Sequence, residues 1–383
     1  GDAGKTWALA LLALVVLCTS VSGGQTALIQ GLRRIKDLAA LTVWGGVLGT
    51  LCSIPIIYFF REKGIVPFLL CVALLGILTS WWYVRRVPLP VARVSLREVW
   101  SEARLLLGMG SVFMASSLMT TGVAYLTRVL IIRQLGLDAA GLFQASSALS
   151  VVYVGFVLNA MGADYYPRLT AVAGDNAKVN RLVNEQTEAA LLMAVPGILG
   201  TMTCASLVLH VLYSSQFEPA VEILRWQILG ILGRVVAWPI GFVLLAKGEA
   251  VTFFWTELLF NAFHIALIFL GINYEGVAGV GMAFCVMYLF YSAGIWCVVH
   301  RLSGFQWSRT NQRLLLATVA LAAMVFLVTS LHQIPSLVRL SVGLALTALA
   351  GGYALRRLEA LLGKSLIGAF MSKIRSIFGR ART

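Results

Sequence analysis

Residues 108–170 read GMGSVFMASSLMTTGVAYLTRVLIIRQLGLDAAGLFQASSALSVVYVGFVLNAMGADYYPRLT. Two apolar runs, 108–133 and 139–163, flank the turn Gly136-Leu137-Asp138. Each run is close to the ~20 residues that cross the ~30 Å hydrocarbon core of a bilayer as a helix. The first carries Arg128 near its end, and the second closes on Asp164-Tyr165-Tyr166-Pro167-Arg168. A charge inside a membrane helix is costly, so each such residue marks a candidate site.

The rest of the chain supports the membrane reading. Of 383 residues, 59% are hydrophobic and 12% charged, against ~25% charged in a typical soluble domain. Mean hydropathy is +0.87. Apolar runs near 20 residues imply a helical bundle, and the absence of ten-residue alternating segments argues against a transmembrane barrel. The net charge of +14 would suggest nucleic acid in a soluble protein. Here the basic residues fall between apolar segments and report orientation and anionic lipid, so no nucleic-acid partner is expected. The six cysteines all lie in apolar runs without a CxxC pair, so neither a metal site nor a disulfide framework is indicated. Phosphate-binding loops, metal clusters and nucleophile–base pairs are not found as whole motifs. No cofactor, no catalytic residue and no enzyme activity are expected.

About eleven spans can be counted: 6–29, 38–60, 65–84, 108–133, 139–163, 187–213, 224–246, 250–272, 276–299, 312–331 and 336–355. Residues 6–29 lead into a further span without a small-residue cleavage site and read as a span, not a signal peptide. One side of the bundle collects Arg33, Arg34, Lys36, Arg85, Arg86, Arg97, Arg104, Arg168, Lys178, Arg181, Lys247, Arg301, Arg309 and Arg313. The other holds Arg61, Lys63, Arg133 and Arg339 beside Glu218, Glu222 and Glu275. By the positive-inside rule the first side and the C-terminus are cytoplasmic.

No loop is long enough for a soluble domain. Segment 85–107 reads as a Pro-marked linker followed by a basic amphipathic helix, with Leu96, Val99, Trp100 and Ala103 on one face. It divides a three-span segment, 1–84, from a six-span segment, 108–300. A helix pair (301–363) and a basic tail (364–383) follow. A faint parallel repeat links Gly31 at the end of the first span to Gly248 at the end of the seventh, six spans apart.

Three stretches carry a family resemblance: ALIQGLRRIKDLA (27–39), the Arg-rich linker, and QLGLDAAGLFQASSALSVVYVGFVLNAMGADYYPRL (134–169). They resemble the O-antigen and polysaccharide translocases, the Wzx-type flippases of the multidrug/oligosaccharidyl-lipid/polysaccharide exporter superfamily. The similarity includes Gly141-x-Phe143-Gln144-Ala145 and Tyr165-x-Pro167-Arg168-Leu169. The resemblance implies an all-α, two-lobed exporter fold with three further spans ahead of those seen here, so that the first lobe is incomplete. It also implies a multi-pass protein of the bacterial inner membrane that moves undecaprenyl-diphosphate-linked oligosaccharide from the cytoplasmic to the periplasmic leaflet by alternating access. Membrane lipids, a polysaccharide polymerase and a chain-length regulator are the partners this implies. A lipid II flippase or drug exporter of the same superfamily is the nearest alternative. A membrane-embedded polymerase or ligase is the alternative from another class, disfavoured because the outside loops are short.

A translocated diphosphate calls for cations in the lumen. Arg234 lies near the middle of the seventh span, next to Gly233 and above Pro239. It is read either as a lumen cation or as the ion-pair partner of Glu257. Glu257, Asn261 and His264 at i, i+4 and i+7 share one helix face, either lining the lumen or bonding between helices. Arg128 sits toward the outer end of its span, where snorkelling to the interface competes with a cavity role. Asp164 and Tyr165 belong to an interfacial cluster or an inner gate. Gln144 and Ser147 are candidates for the cavity mouth, while His210, His300 and His332 lie near span ends and are not expected to be ligands.

Overall fold

The structure is a computed structural model describing residues 3–32, 34–87, 95–331, 333 and 335–362. The basic tail 364–383, linker residues 88–94 and His332 lie outside the described residues. Every regular element described is helical: α1 (Ala3–Gly31), α2 (Ile35–Phe60), α3 (Ile65–Val84), α4 (Leu96–Leu135), α5 (Leu137–Ala171), α6 (Asn176–Leu212), α7 (Ala220–Ala246), α8 (Ala250–Ser303), α9 (Arg309–Ser330) and α10 (Ser336–Leu362). Short 3-10 turns, Arg61–Gly64 and Ser215–Phe217, join α2 to α3 and α6 to α7.

Nine helices among the described residues are long and apolar enough to cross a membrane. One of them, α8, has 54 residues, which at 1.5 Å per residue is about twice a bilayer. It is broken at Gly276, where φ 58 and ψ −134 leave helical space. A side chain is strained at such a φ, whereas glycine is not. The arms fold back on each other: Phe260 meets Tyr291 with ring centroids 5.0 Å apart. A Cβ on Gly271 would lie 2.4 Å from the Gly279 carbonyl oxygen. With α8 taken as two arms and α5 included, every span expected from the sequence falls on a helix or a helix arm. The amphipathic linker segment and the fourth span are one continuous helix, α4, because no proline interrupts Leu96–Leu135.

The chain divides into two compact units. The first is Gly1–Val99 with Ala163–Pro167; the second is Trp100–Gly162 with Arg168–Thr383. In the first unit α3 packs along both α1 and α2. Small residues allow this: Ser80 bonds Gln25 and Ser22 of α1, and Gly49 faces Val72. Arg85 stacks over Trp81 and Trp82 at the end of α3, the amphipathic arrangement suited to a membrane–water interface.

The second unit has its core between α6 and α7, where Leu191, Ile198, Met202, Leu224, Ile231 and Val235 are buried, joined by Leu158 of α5 and Val325 of α9. A smaller cluster, Ile131, Ile268, Ile272, Val280 and Ala283, ties α4 to both arms of α8. The end carrying Arg168, Lys178 and Lys247 is closed by polar contacts. The Asp175 carboxylate caps α6 by accepting from the backbone N–H of Ala177 and Lys178 at 3.0 and 3.1 Å. The Lys178 N–H is the main cause holding the Asp175 carboxyl below its ordinary pKa. Lys247 Nζ donates to the Ala173 carbonyl at 2.8 Å and Asn176 Oδ1 at 2.7 Å. Asn311 Nδ2 donates to the Asn184 carbonyl at 2.8 Å, joining α9 to α6.

Candidate functional site

A cavity of about 580 Å³ lies wholly within the second unit. Its walls follow helical periodicity. Thr120, Val123, Ala124, Thr127 and Arg128 come from one face of α4, and Phe143, Gln144, Ser147 and Ser150 from one face of α5. Gln227, Arg234, Trp238, Gly241 and Leu245 come from α7. The first arm of α8 contributes Glu257, Asn261 and His264, and the second contributes Phe284, Tyr288 and Tyr291.

Glycines bring α7 and the second arm of α8 together. A Cβ at Gly230 would lie 2.5 Å from Phe284 Cδ1 and 2.9 Å from Cys285 Cα. One at Gly233 would lie 3.0 Å from the Tyr288 carbonyl oxygen, and one at Gly281 2.8 Å from that of Ile223. Small residues permit such backbone approach in membrane bundles. Ser292 Oγ fastens the contact by donating to the Gly233 carbonyl at 2.9 Å. Arg234, next in sequence, is thereby held half-buried in the cavity wall that Tyr288 and Tyr291 also line.

Seven of the residues singled out from sequence meet around this one cavity: Arg234, Glu257, Asn261, His264, Arg128, Gln144 and Ser147. Glu257 does not pair with Arg234; its Oε1 accepts from the Tyr291 hydroxyl at 2.8 Å. Among the described residues no ion pair joins Arg234 to a carboxylate. Asn261 Nδ2 donates to the Glu257 backbone carbonyl at 2.8 Å. Arg128 Nη2 donates to Gln144 Oε1 at 3.0 Å across the α4–α5 hairpin, and Gln227 Nε2 donates to Ser147 Oγ at 3.0 Å. Asp164 and Tyr165 are not in the cavity wall; they cluster with the first unit, Tyr165 fully buried. Among the described residues no group of three His, Cys, Asp or Glu could hold a metal ion.

The aromatic wall was not singled out from sequence. Phe284 and Tyr288 lie 4.8 Å apart between ring centroids, and Tyr288 and Tyr291 6.0 Å apart. These three stand at i, i+4 and i+7, the spacing that selected Glu257, Asn261 and His264, so the same periodicity test could have found them. Gln227 and Trp238 were not singled out either, although with Arg234 they stand at i, i+7 and i+11 on one face of α7, so the same test would have found them.

The charged groups stand at different depths. At 1.5 Å per residue, Glu257 is about 10 Å from the start of α8 and Arg234 about 20 Å from either end of α7. Arg128 is about 10 Å from the end of α4 at the Gly136 turn, the opposite end of the unit from Glu257. The cavity is thus largely apolar and aromatic, with a few polar groups spaced along it. Ligand sites commonly have this composition.

A family model described as "Polysaccharide biosynthesis protein" matches residues 4–222. The lipid III flippases of Escherichia coli (strain K12) and Shigella flexneri are each 23% identical over 293 residues, covering 73% of this chain and 68% of theirs. The structure of "Lipid II flippase MurJ, inward closed conformation" superposes with a TM-score of 0.59 at 12% identity, covering 93% of this chain and 74% of that one. That likeness is one of fold.

Proposed function

Since the chain belongs to the polysaccharide biosynthesis protein family, we propose that it is a flippase for a lipid-linked oligosaccharide. It moves an undecaprenyl-diphosphate-linked repeat unit, of the O-antigen or a related type, from the cytoplasmic to the periplasmic leaflet. The observation that carries this reading is the second-unit cavity. It joins two arginines at different depths with an aromatic wall, and its arginines have no carboxylate partner among the described residues.

The physical problem is a polar headgroup on a prenyl tail. The tail remains in lipid, while the sugars and diphosphate need a route out of the hydrocarbon. Guanidinium groups match phosphate oxygens with forked donors. Arg234, at mid-depth, would hold the diphosphate midway, and Arg128, nearer one end, would receive or release it. Tyr288, Tyr291 and Trp238 offer rings for the C–H faces of sugars. Gln144, Asn261 and Gln227 offer amides that exchange hydrogen bonds with hydroxyls. Rocking between states open to one side and then the other would carry the headgroup past these positions. Asp164 and Tyr165, at the far end of α5, serve in this proposal as inner gate residues. The membrane in question is the bacterial inner membrane, with the Lys/Arg-rich side and the C-terminus in the cytoplasm.

The test is restoration of surface polysaccharide in a flippase-deficient bacterium by the full-length protein, paired with liposomes holding either lipid II or an undecaprenyl-diphosphate-linked repeat unit. Flipping of the repeat unit supports the proposal. Flipping of lipid II alone replaces the substrate, and a well-expressed protein that flips neither sinks the reading.

A further inference from the structure

A second cavity, about 360 Å³, opens at the end of the second unit opposite the Asp175 cap. It is built from the last turns of α6 and α9 and the first turns of α7 and α10. No residue lining it also lines the central cavity. Arg225 of α7 and Arg339 of α10 both enter it, with His210, Thr203, Thr329 and Ser336 around them.

The two guanidinium groups are incompletely satisfied. Arg339 Nη1 donates to the Thr329 carbonyl at 3.2 Å, but its Nε is buried without a partner, as are Arg225 Nε and Thr203 Oγ1. Both cations line this one pocket. Glu218 is the nearest carboxylate in the wall, yet its oxygens accept from Ser206 Oγ at 3.0 and 3.1 Å. Neither Glu218 nor Glu222 forms an ion pair with Arg225 or Arg339. Burying donors without acceptors is unfavourable, and placing two like charges together near a membrane edge adds to that. An anion with several oxygens between the arginines removes both penalties. A phosphate group fits best, because each planar guanidinium can give it two parallel hydrogen bonds. The hydroxyls of Thr203 and Ser336 supply further donors, whereas Thr329 Oγ1 already donates to the Val325 carbonyl at 2.8 Å. The helix flanks are apolar and open, with Leu207 and Leu337 largely exposed, as expected where acyl chains pass a headgroup.

We propose that this pocket is a binding site for a phosphate group clamped between Arg225 and Arg339, carried by a lipid headgroup or arriving as soluble phosphate. Bound there, it ties α7 to α10 by bridging their two arginines. Glu218, in the same wall, would repel a second negative charge and would accept an ammonium, which favours an ethanolamine headgroup over a glycerol one.

The experiment uses the full-length protein, delipidated in a neutral detergent. Dioctanoyl phosphatidylethanolamine, dioctanoyl phosphatidylglycerol, inorganic phosphate and dioctanoylglycerol are titrated separately. Thermal unfolding and native mass spectrometry are the readouts. At least one phosphate-bearing ligand should raise the unfolding temperature and be retained, and dioctanoylglycerol should do neither. Stabilisation by the lipids alone identifies a headgroup site, and stabilisation by inorganic phosphate a soluble-anion site. Arg225→Gln and Arg339→Gln should each weaken binding at least about tenfold. Arg339→Lys, which keeps the charge but loses the fork, is the mildest variant and should show a smaller loss. No shift with any phosphate-bearing ligand, equal stabilisation by dioctanoylglycerol, or wild-type binding in both Arg339 variants overturns the proposal. No readout involves transport, so this site stands or falls separately from the flippase reading.

Discussion

Replacing Arg234 with leucine separates two roles that predict opposite signs. A cation at the centre of a membrane helix costs about 2.5–3.5 kcal/mol, and leucine there contributes about −0.5 kcal/mol. Arg234 lines a cavity and is half-buried, so water relieves part of its cost. No carboxylate pairs with it among the described residues, and removing it strands no buried charge. Arg234→Leu should therefore stabilise the protein, on the order of 1–2 kcal/mol. Transport should fall at the same time. A charge-assisted hydrogen bond contributes about 1.5–3 kcal/mol, which is roughly 10- to 150-fold in apparent affinity for the diphosphate. Thermal unfolding in detergent measures the first effect, and surface polysaccharide at matched membrane expression measures the second. If Arg234 were instead half of a structural pair with Glu257, its removal would destabilise by about 3–5 kcal/mol. A loss of that size, or undiminished polysaccharide, refutes the reasoning.

Tyr291→Phe removes the donor to Glu257 and should destabilise by about 1–3 kcal/mol; with Glu257→Gln also present, the extra cost should shrink in a double-mutant cycle by thermal unfolding. Gly230→Ala pushes a methyl group to 2.5 Å from the Phe284 ring and 2.9 Å from Cys285 Cα, for a loss of about 1–3 kcal/mol. Gly122→Ala, with nothing within 4 Å of the added carbon, should be neutral or slightly stabilising in the same assay. The Asp175 carboxyl has a lowered pKa in the fold because it accepts from the Lys178 N–H. Its contribution is present above the unfolded-state pKa and is lost as pH falls through the lower folded one. Hydrogen exchange at the start of α6 should therefore speed up in acid, and Asp175→Ala should show fast exchange already at neutral pH.

The polytopic fold was legible because its cause is local. Bilayer thickness sets the length of each apolar run, and backbone hydrogen bonding forces those runs into helices. That α8 comprises two spans was legible in the same way, from the two span-length runs 250–272 and 276–299, whereas the break itself falls on Gly276, the first residue of the second run. Within one helix, 3.6-residue periodicity also put Glu257, Asn261 and His264 on a common face. The polar residues were conspicuous against the apolar background, as Arg234 and Arg128 were. What periodicity could not assign was the partner of each face. Depth arithmetic on α4 alone favoured snorkelling for Arg128, whereas in the folded unit its guanidinium bonds Gln144 at the cavity wall. Asp164 and Tyr165 looked equally eligible and fall outside that wall.

From its sequence alone, this protein was determined to be an all-helical, multi-pass membrane protein of polysaccharide-exporter type, with its charged residues marked as candidates. Only the tertiary structure decided that Phe284, Tyr288 and Tyr291 face Arg234, and that Arg225 and Arg339, far apart in the chain, share a second pocket. The reason is physical. In a soluble protein the hydrophobic effect writes the buried face into the sequence as an apolar stripe. In a bilayer the outside is as apolar as the inside, and helix contacts are chosen by close packing at small residues such as Gly230, Gly233 and Gly281. That choice depends on the shapes of two surfaces together, and neither surface can be read from its own stretch of chain.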